Sequence, residues 1–351
     1  MLRRAFLFLP ASLVLAGAAS DSKLDVNSID RQRILKAADR YLRESPVTLT
    51  TTTSPRSAGG KHDFFSEGDY WWPDPQAPDG PYIQRDGMTN PDNFVAHRQF
   101  LLSFGRTFDA LAAAYALTHD EKFAAAGVKH LHAWFVDPAT RMNPSLLYSQ
   151  AIKGRFTGRG IGIIDTLHLI EPARSAQLLE KAGLLKGDDL AAMKKWFADY
   201  LTWMTTHKYG LDEMNAQNNH GTCWVAQVAC FAELTGDKKL SAYCADRFKT
   251  VLIPDQEAAD GSFPLELKRT KPYGYSLFNL DAFAIIAQTL SLWKWQMPDG
   301  RGMARAMEYM YPYMLDKKKW PLPPALLRDI SARRSSQDVW NSRSATSGRN
   351  C

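Results

Sequence analysis

Cysteine is scarce: four in 351 residues, at Cys223, Cys230, Cys244 and Cys351. No Cys/His spacing matches a zinc site, and no metal or cofactor is expected. Cys223 and Cys230 stand two turns apart on one expected helix, about 10 Å of rise, too far for a mutual bridge. Cys230 and Cys244 lie on consecutive expected helices, open to a disulfide in an oxidising compartment or to two buried thiols. Dense Lys/Arg runs and nucleic-acid-binding motifs are missing, which argues against nucleic acid as a partner. The Gly-x-x-x-x-Gly-Lys-Ser/Thr order of a phosphate loop is missing too.

Long apolar runs are nearly absent. The one such stretch, Ala5 to Leu15, is too short to span a bilayer and is interrupted by Pro10. It follows Arg3-Arg4 and precedes the small residues Ala16-Gly17-Ala18-Ala19-Ser20, so residues 1–20 read as a secretory signal. The mature chain is expected to be secreted or periplasmic, with no membrane association after cleavage.

What is present is apolar content, aromatics and positive charge. The chain is 45% hydrophobic, enough for one large core, with ten Trp, thirteen Tyr and a formal charge of +6. A positive surface attracts polyanions, and aromatic faces stack on sugar rings, which together favour an acidic polysaccharide.

No strand-rich region is visible. Helical periodicity runs over Ile29–Leu42, Phe94–Leu117, Phe123–Phe135, Leu190–Thr205, Trp224–Leu234, Leu240–Leu252, Leu280–Trp295 and Met303–Met314, with a further helix opening near Leu167. Trp224–Leu234 is apolar nearly all round and should be an inner helix. Ala114–Phe123 and Phe231–Leu240 echo one another as helix, tight Thr-x-Asp turn, helix. Repeated hairpins stack by burying shared faces, and alternating inner and outer helices curve into a toroid. One all-α domain over residues 21–330 is expected, followed by a loosely ordered Ser/Arg-rich tail, 331–351. Between the first helices, Phe64–Pro91 holds Tyr70, Trp71, Trp72 and Tyr82 among prolines and glycines, the composition of a flap over a sugar cleft or of a loop pinned to the core.

The chemistry gathers in Gln217-Asn218-Asn219-His220-Gly221-Thr222, in Glu266-Leu267-Lys268-Arg269 and in Tyr273-Gly274-Tyr275. Amide, imidazole, guanidinium and phenol are the groups that an elimination across a uronic acid needs. The reaction removes the C5 proton beside a carboxylate and expels the O4 oxygen, so the carboxylate must be neutralised first. Fixed donors aimed at developing charge contribute about 3 kcal/mol each. Asn219 and Arg269 suit that task, and His220 or a tyrosine suits proton transfer. Taken singly, Asn218 or Asn219 also suits a helix cap, and Arg269 a surface ion pair. Lys153, Arg155 and Arg159 form a Gly-spaced basic loop that suits carboxylates. His97 and Arg98 lie on the helix after the flap.

Asn218-Asn219-His220-Gly-Thr-x-Trp, Asp260-Gly261-Ser262-Phe263-Pro264-Leu265-Glu266-Leu267-Lys268-Arg269 and Tyr275-Ser-x-Phe-Asn-Leu together resemble the alginate-lyase superfamily of polysaccharide lyases. The likeness extends from about Phe64 to Tyr311. It implies an incomplete (α/α) toroid with a mobile lid carrying Tyr70, Trp71 and Trp72. It also implies β-elimination on alginate or on the related polymer glucuronan, leaving 4,5-unsaturated ends. By that resemblance Asn219 neutralises the substrate carboxylate with help from Arg269. His220 is base or support, and Tyr275 protonates the leaving O4. In the better-known members one more residue separates arginine from tyrosine, which keeps Tyr273 open as the phenol. Two other readings compete: a glycoside hydrolase using Asp260 and Glu266, and a non-catalytic binder of acidic polysaccharide.

Overall fold

The structure, a computed structural model, describes residues 26–323. The expected signal segment, the tail 331–351 and Cys351 lie outside that range.

The chain opens with α1 (Val26–Tyr41) and then runs irregularly to β1 (Phe65–Glu67), β2 (Trp71–Trp72) and β3 (Ile83–Gln84). Two long antiparallel helices follow, α2 (Ala96–Thr118) and α3 (Glu121–Phe135). Strand β4 (Tyr148–Ala151) leads into a 3₁₀ stretch, Gly160–Leu169, and then α4 (Ile170–Lys181), α5 (Gly187–Thr206) and α6 (Lys208–Met214). The second half holds α7 (Asn219–Thr235), α8 (Lys238–Arg247), α9 (Ile253–Gln256), α10 (Pro264–Leu267), α11 (Pro272–Thr289) and α12 (Met303–Leu315).

Helix α7 is the hub. Every residue from Gly221 to Ala232 is buried, because α4, α5, α6, α8 and α11 all pack on it. A helix with no polar face has to sit inside, as its sequence requires. Tyr200, Trp196 and Phe197 of α5 meet Phe231 and Phe135 in one aromatic cluster of the main core. Cys223, Cys230 and Cys244 are buried free thiols in this packing.

The sequence echo is a true structural repeat. Each hairpin turns through a left-handed residue, His119 (φ 57°) after α2 and Gly236 (φ 77°) after α7. An aspartate then caps the next helix: Asp120 accepts from the Lys122 N–H and Asp237 from the Leu240 N–H.

Three expectations are corrected. Expected as continuous, Leu240–Leu252 breaks at Arg247 into a π turn, Phe248–Leu252, before α9. Helix α11 starts at Pro272, eight residues before the expected Leu280, since proline at the first position needs no N–H partner. The helix expected to open near Leu167 begins at Ile170, because Gly160–Leu169, with buried Asp165 and Thr166, is 3₁₀ backbone.

The aromatic segment is more ordered than a plain loop. Trp71 pairs with Gln84 and Trp72 with Ile83 in an antiparallel ladder, while β1 runs parallel to β4. Glu67 fixes its base by accepting from the Phe94 N–H (2.7 Å) and from Nε and Nη2 of Arg56.

Candidate active site

The N-terminus of α7 carries the densest polar chemistry. Asn218 is the cap, its side chain accepting from the His220 N–H. Gly221 is required by a close approach: a Cβ there would lie 2.1 Å from the Ala216 carbonyl oxygen. Asn219 is 1% exposed and is held at two points by Glu266. Its backbone N–H donates to Oε1 (2.8 Å) and its side-chain Nδ2 to Oε2 (2.7 Å). Burial raises the Glu266 pKa, and the two Asn219 hydrogen bonds oppose that.

His220 is partly open, with 19% of its side chain exposed. Its Nδ1 meets Oε1 of Glu213, a buried residue of α6, at 2.7 Å, which leaves Nε2 as the free nitrogen. Burial works against the imidazolium, yet the adjacent Glu213 carboxylate outweighs it and raises the His220 pKa. Arg269 pulls the same group down, so its charge reaches the imidazole.

Arg269 sits in the turn between α10 and α11, Tyr275 in the first turn of α11. The guanidinium lies 3.9 Å from the centre of the Tyr275 ring and donates from Nη2 to the phenol oxygen at 2.9 Å. The Tyr70 hydroxyl meets the same oxygen at 2.9 Å, bringing the aromatic lid onto the phenol. Burial raises the Tyr275 pKa and so does Tyr70, while Arg269 opposes them; the net shift is upward. Burial outweighs the single guanidinium.

Tyr273 turns the other way. Its ring packs edge-on against Trp320 (5.3 Å) and its hydroxyl donates to the Tyr313 carbonyl. Of the two tyrosines left open by the sequence, Tyr275 is the one joined to Arg269 and the lid.

The lid is braced from below by the basic loop. Arg155 and Arg159 lie 5.5 and 5.8 Å from the Trp71 ring, and Arg155 also donates to the Tyr82 carbonyl. Trp72 donates its indole N–H to the Met88 carbonyl. Arg159 donates to the Gln150 carbonyl, and burial lowers its pKa to about 10. Asp86, at the lid's far end, reaches Arg269 at 3.4 Å.

His97 does not belong here. It is 2% exposed, its Nδ1 accepts from the Phe65 N–H and its Nε2 donates to the Thr52 carbonyl. Both ring nitrogens are spent on backbone, so it holds the base of the lid. Arg98, next to it, reaches Asp69 (2.7 Å) and the buried Asp165 (3.3 Å). Asp260 accepts from its own neighbour Ser262. Glu266 is committed to Asn219, so no Asp260–Glu266 hydrolytic pair is assembled.

Sequence reasoning missed Glu213, Asp86, Asp165 and Gln150. Gln150 stands at a positive φ of 51° and contacts Ser66, Arg159 and Asp165 at once. Nothing local marks these residues; each acts through a partner remote in sequence or on another element. Among the described residues, no three of His, Cys, Asp and Glu gather where a metal ion would bind.

The alginate lyase family model matches residues 48–320. The chain belongs to the alginate lyase family. An alginate lyase from Bacteroides ovatus is 33% identical, with a TM-score of 0.77 over 90% of this chain and 85% of that one. Alginate lyase A1-III from Sphingomonas species A1 is 13% identical, with a TM-score of 0.50 over 85% of this chain and 82% of its own. A tyrosine-to-phenylalanine variant of A1-III, complexed with a tetrasaccharide, is 15% identical, with a TM-score of 0.52 over 84% and 77%. No curated protein matches. The alginate lyase fold seen here is the expected α/α toroid, and the chain is a polysaccharide lyase.

Proposed function

We propose that this lyase cleaves a polyuronate of the alginate type by β-elimination at the site of Asn219, His220, Arg269 and Tyr275. The observation that carries the reading is the convergence of Arg269 and Tyr70 on the Tyr275 oxygen, with Arg269 near enough to His220 for its charge to lower the imidazole pKa. Membership of the alginate lyase family and the A1-III relative complexed with a tetrasaccharide support it.

The steps balance as follows. Asn219 and Arg269 hold the carboxylate of the uronate whose C5 proton is removed. His220 accepts that proton at Nε2, the nitrogen that Glu213 leaves free. The C5–H electrons form the C4=C5 bond and the C4–O4 bond breaks. Tyr275, kept protonated by its raised pKa, gives its proton to O4. A solvent-relayed proton from His220 to Tyr275 resets the site.

A second reading follows from one specific contact. Arg269 donates to the Tyr275 oxygen, and such a contact stabilises a phenolate. In mannuronate and glucuronate H5 and O4 lie on the same side, so a single tyrosine can take the first proton and return it to O4. The polymers differ mainly at C2, and either fits both readings. Export to the periplasm or medium, supported by the basic and apolar leader, belongs to the same proposal.

Purified enzyme incubated with polymannuronate, polyguluronate and glucuronan, and followed in the ultraviolet, tests the function. A rising absorbance from unsaturated ends is expected on at least one polymer; reducing ends without absorbance mean hydrolysis and refute the proposal. Tyr275→Phe abolishes turnover under either reading. His220→Gln separates them: kcat falls at least about a hundredfold if His220 is the base, whereas mainly KM changes if Tyr275 carries both protons.

A further inference from the structure

Glu266 is 1% exposed and spends both carboxylate oxygens on one residue, Asn219. Such a two-point clamp constrains orientation as well as place. A carboxylate only accepts hydrogen bonds, so it can face the nitrogen end of a carboxamide and not the oxygen end. A carboxamide nitrogen has two hydrogens, and Glu266 takes one. The second N–H and Oδ1 carry no other hydrogen bond among the described residues. Asn219 is the first residue of α7, where unpaired backbone N–H groups and the helix dipole favour an anion, which helps keep Glu266 in place. The same residue also fixes the main chain of Arg269, whose backbone N–H donates to the Glu266 carbonyl at 3.1 Å.

We propose that Glu266 is a positioning residue: it fixes which end of the Asn219 carboxamide is turned inward, and so the direction of the one amide N–H left for a uronate carboxylate. This rests on the β-elimination reading above. A neutral amide at position 266 removes the discrimination. Glutamine offers one acceptor and one donor to a residue that presents two donors, so Asn219 turns over to relieve the donor–donor clash. Its carbonyl then replaces the N–H facing the substrate carboxylate, and attraction becomes repulsion where negative charge develops.

The test is a double-mutant cycle in kcat and KM on the best polyuronate, with Glu266→Gln, Asn219→Ala and the double variant. Glu266→Gln is isosteric and is expected to lower kcat about a hundredfold, the loss of one correctly aimed donor, while KM changes less. On the Asn219→Ala background the same change is expected to cost less than threefold, because the amide it orients is gone. Melting temperatures are measured for all four proteins. Additive losses in kcat, or losses that track melting temperature, overturn the inference and leave Glu266 a fold anchor. Should the glutamine variant not fold, Glu266→Asp takes its place: its carboxylate still faces only the nitrogen end, so kcat is expected to fall by less than about tenfold, and a larger loss that persists on the Asn219→Ala background overturns the inference. A wild type that yields no unsaturated product on any polymer defeats the functional reading itself; an active wild type with an additive cycle defeats only the role of Glu266.

Discussion

In the proposed reaction, Glu213 and Tyr70 each tune one of the two proton-transfer residues. Glu213 holds His220 with its basicity raised, and Tyr70 closes over a phenol that burial keeps protonated. If His220 is the base, the acid limb of the kcat/KM profile reports its ionisation. Glu213→Gln removes the anion that raises that pKa, so the limb is expected to move toward lower pH, while kcat falls because Nδ1 loses its charged partner. A limb that stays in place assigns the proton to another group. Tyr70→Phe keeps the ring and removes one hydroxyl from the Tyr275 oxygen; about a tenfold loss in kcat with an unchanged melting temperature is expected. At this scale the sequence was readable where residues cluster. Asn218, Asn219 and His220 are consecutive, and Arg269 and Tyr275 are six apart. Glu213 and Asp86 were illegible, because an isolated acidic residue on a helix or loop looks solvated until its partner across the fold is known.

Among the elements, the hairpin turns give the sharpest test. A Cβ on Gly236 would meet nothing within 4 Å, so Gly236→Ala costs only what the left-handed backbone imposes, about 1 kcal/mol. A fall of a few degrees in melting temperature with unchanged kcat checks this; a larger fall means that the turn carries packing as well. The Thr-x-Asp echo was legible because capping chemistry is local. The start of α11 was not: Tyr273-Gly274-Tyr275 reads as loop, and only the fixed φ of Pro272 and packing against α7 make it helix. The two-residue ladder of Trp71–Trp72 on Ile83–Gln84 is likewise too short for any periodicity to reveal. Trp71→Ala removes the ring between Arg155 and Arg159 and is expected to raise KM several-fold with a smaller change in kcat, measured on polymer.

For the whole molecule, burial of acid sets the response to pH. Glu257 is buried, and that burial pushes its pKa up to about 7, as it does for half-buried Asp281. A carboxylate whose folded pKa lies above its unfolded one opposes folding only when ionised. No penalty applies below about pH 4; it grows between pH 4 and 7 and is complete above 7. His220 acts in the same sense, since a raised imidazole pKa gives stability that is lost as pH rises through it. These groups lower the melting temperature from pH 5 to pH 8, while His97, His130 and His168, whose pKa values burial lowers, act in the opposite sense. Glu257→Gln should restore about 1–2 kcal/mol at pH 8 after solvent screening and little at pH 5. Equal gains at both pH values mean that ionisation is not the cause. The inner position of α7 and the all-helical class were evident from composition, because an apolar perimeter leaves a helix nowhere else to go.

Asp86 presents to Arg269 the same functional group that a uronate brings. If Arg269 takes the substrate carboxylate as proposed, Asp86 is a decoy for it, tethered so that dilution never weakens it. A lone sugar acid has one carboxylate with which to dislodge it, whereas a polymer adds neighbouring rings that the decoy cannot match. On the proposed reading, competition within the protein should favour long chains over short ones: with Asp86→Asn, KM should drop more for trimers than for polymer.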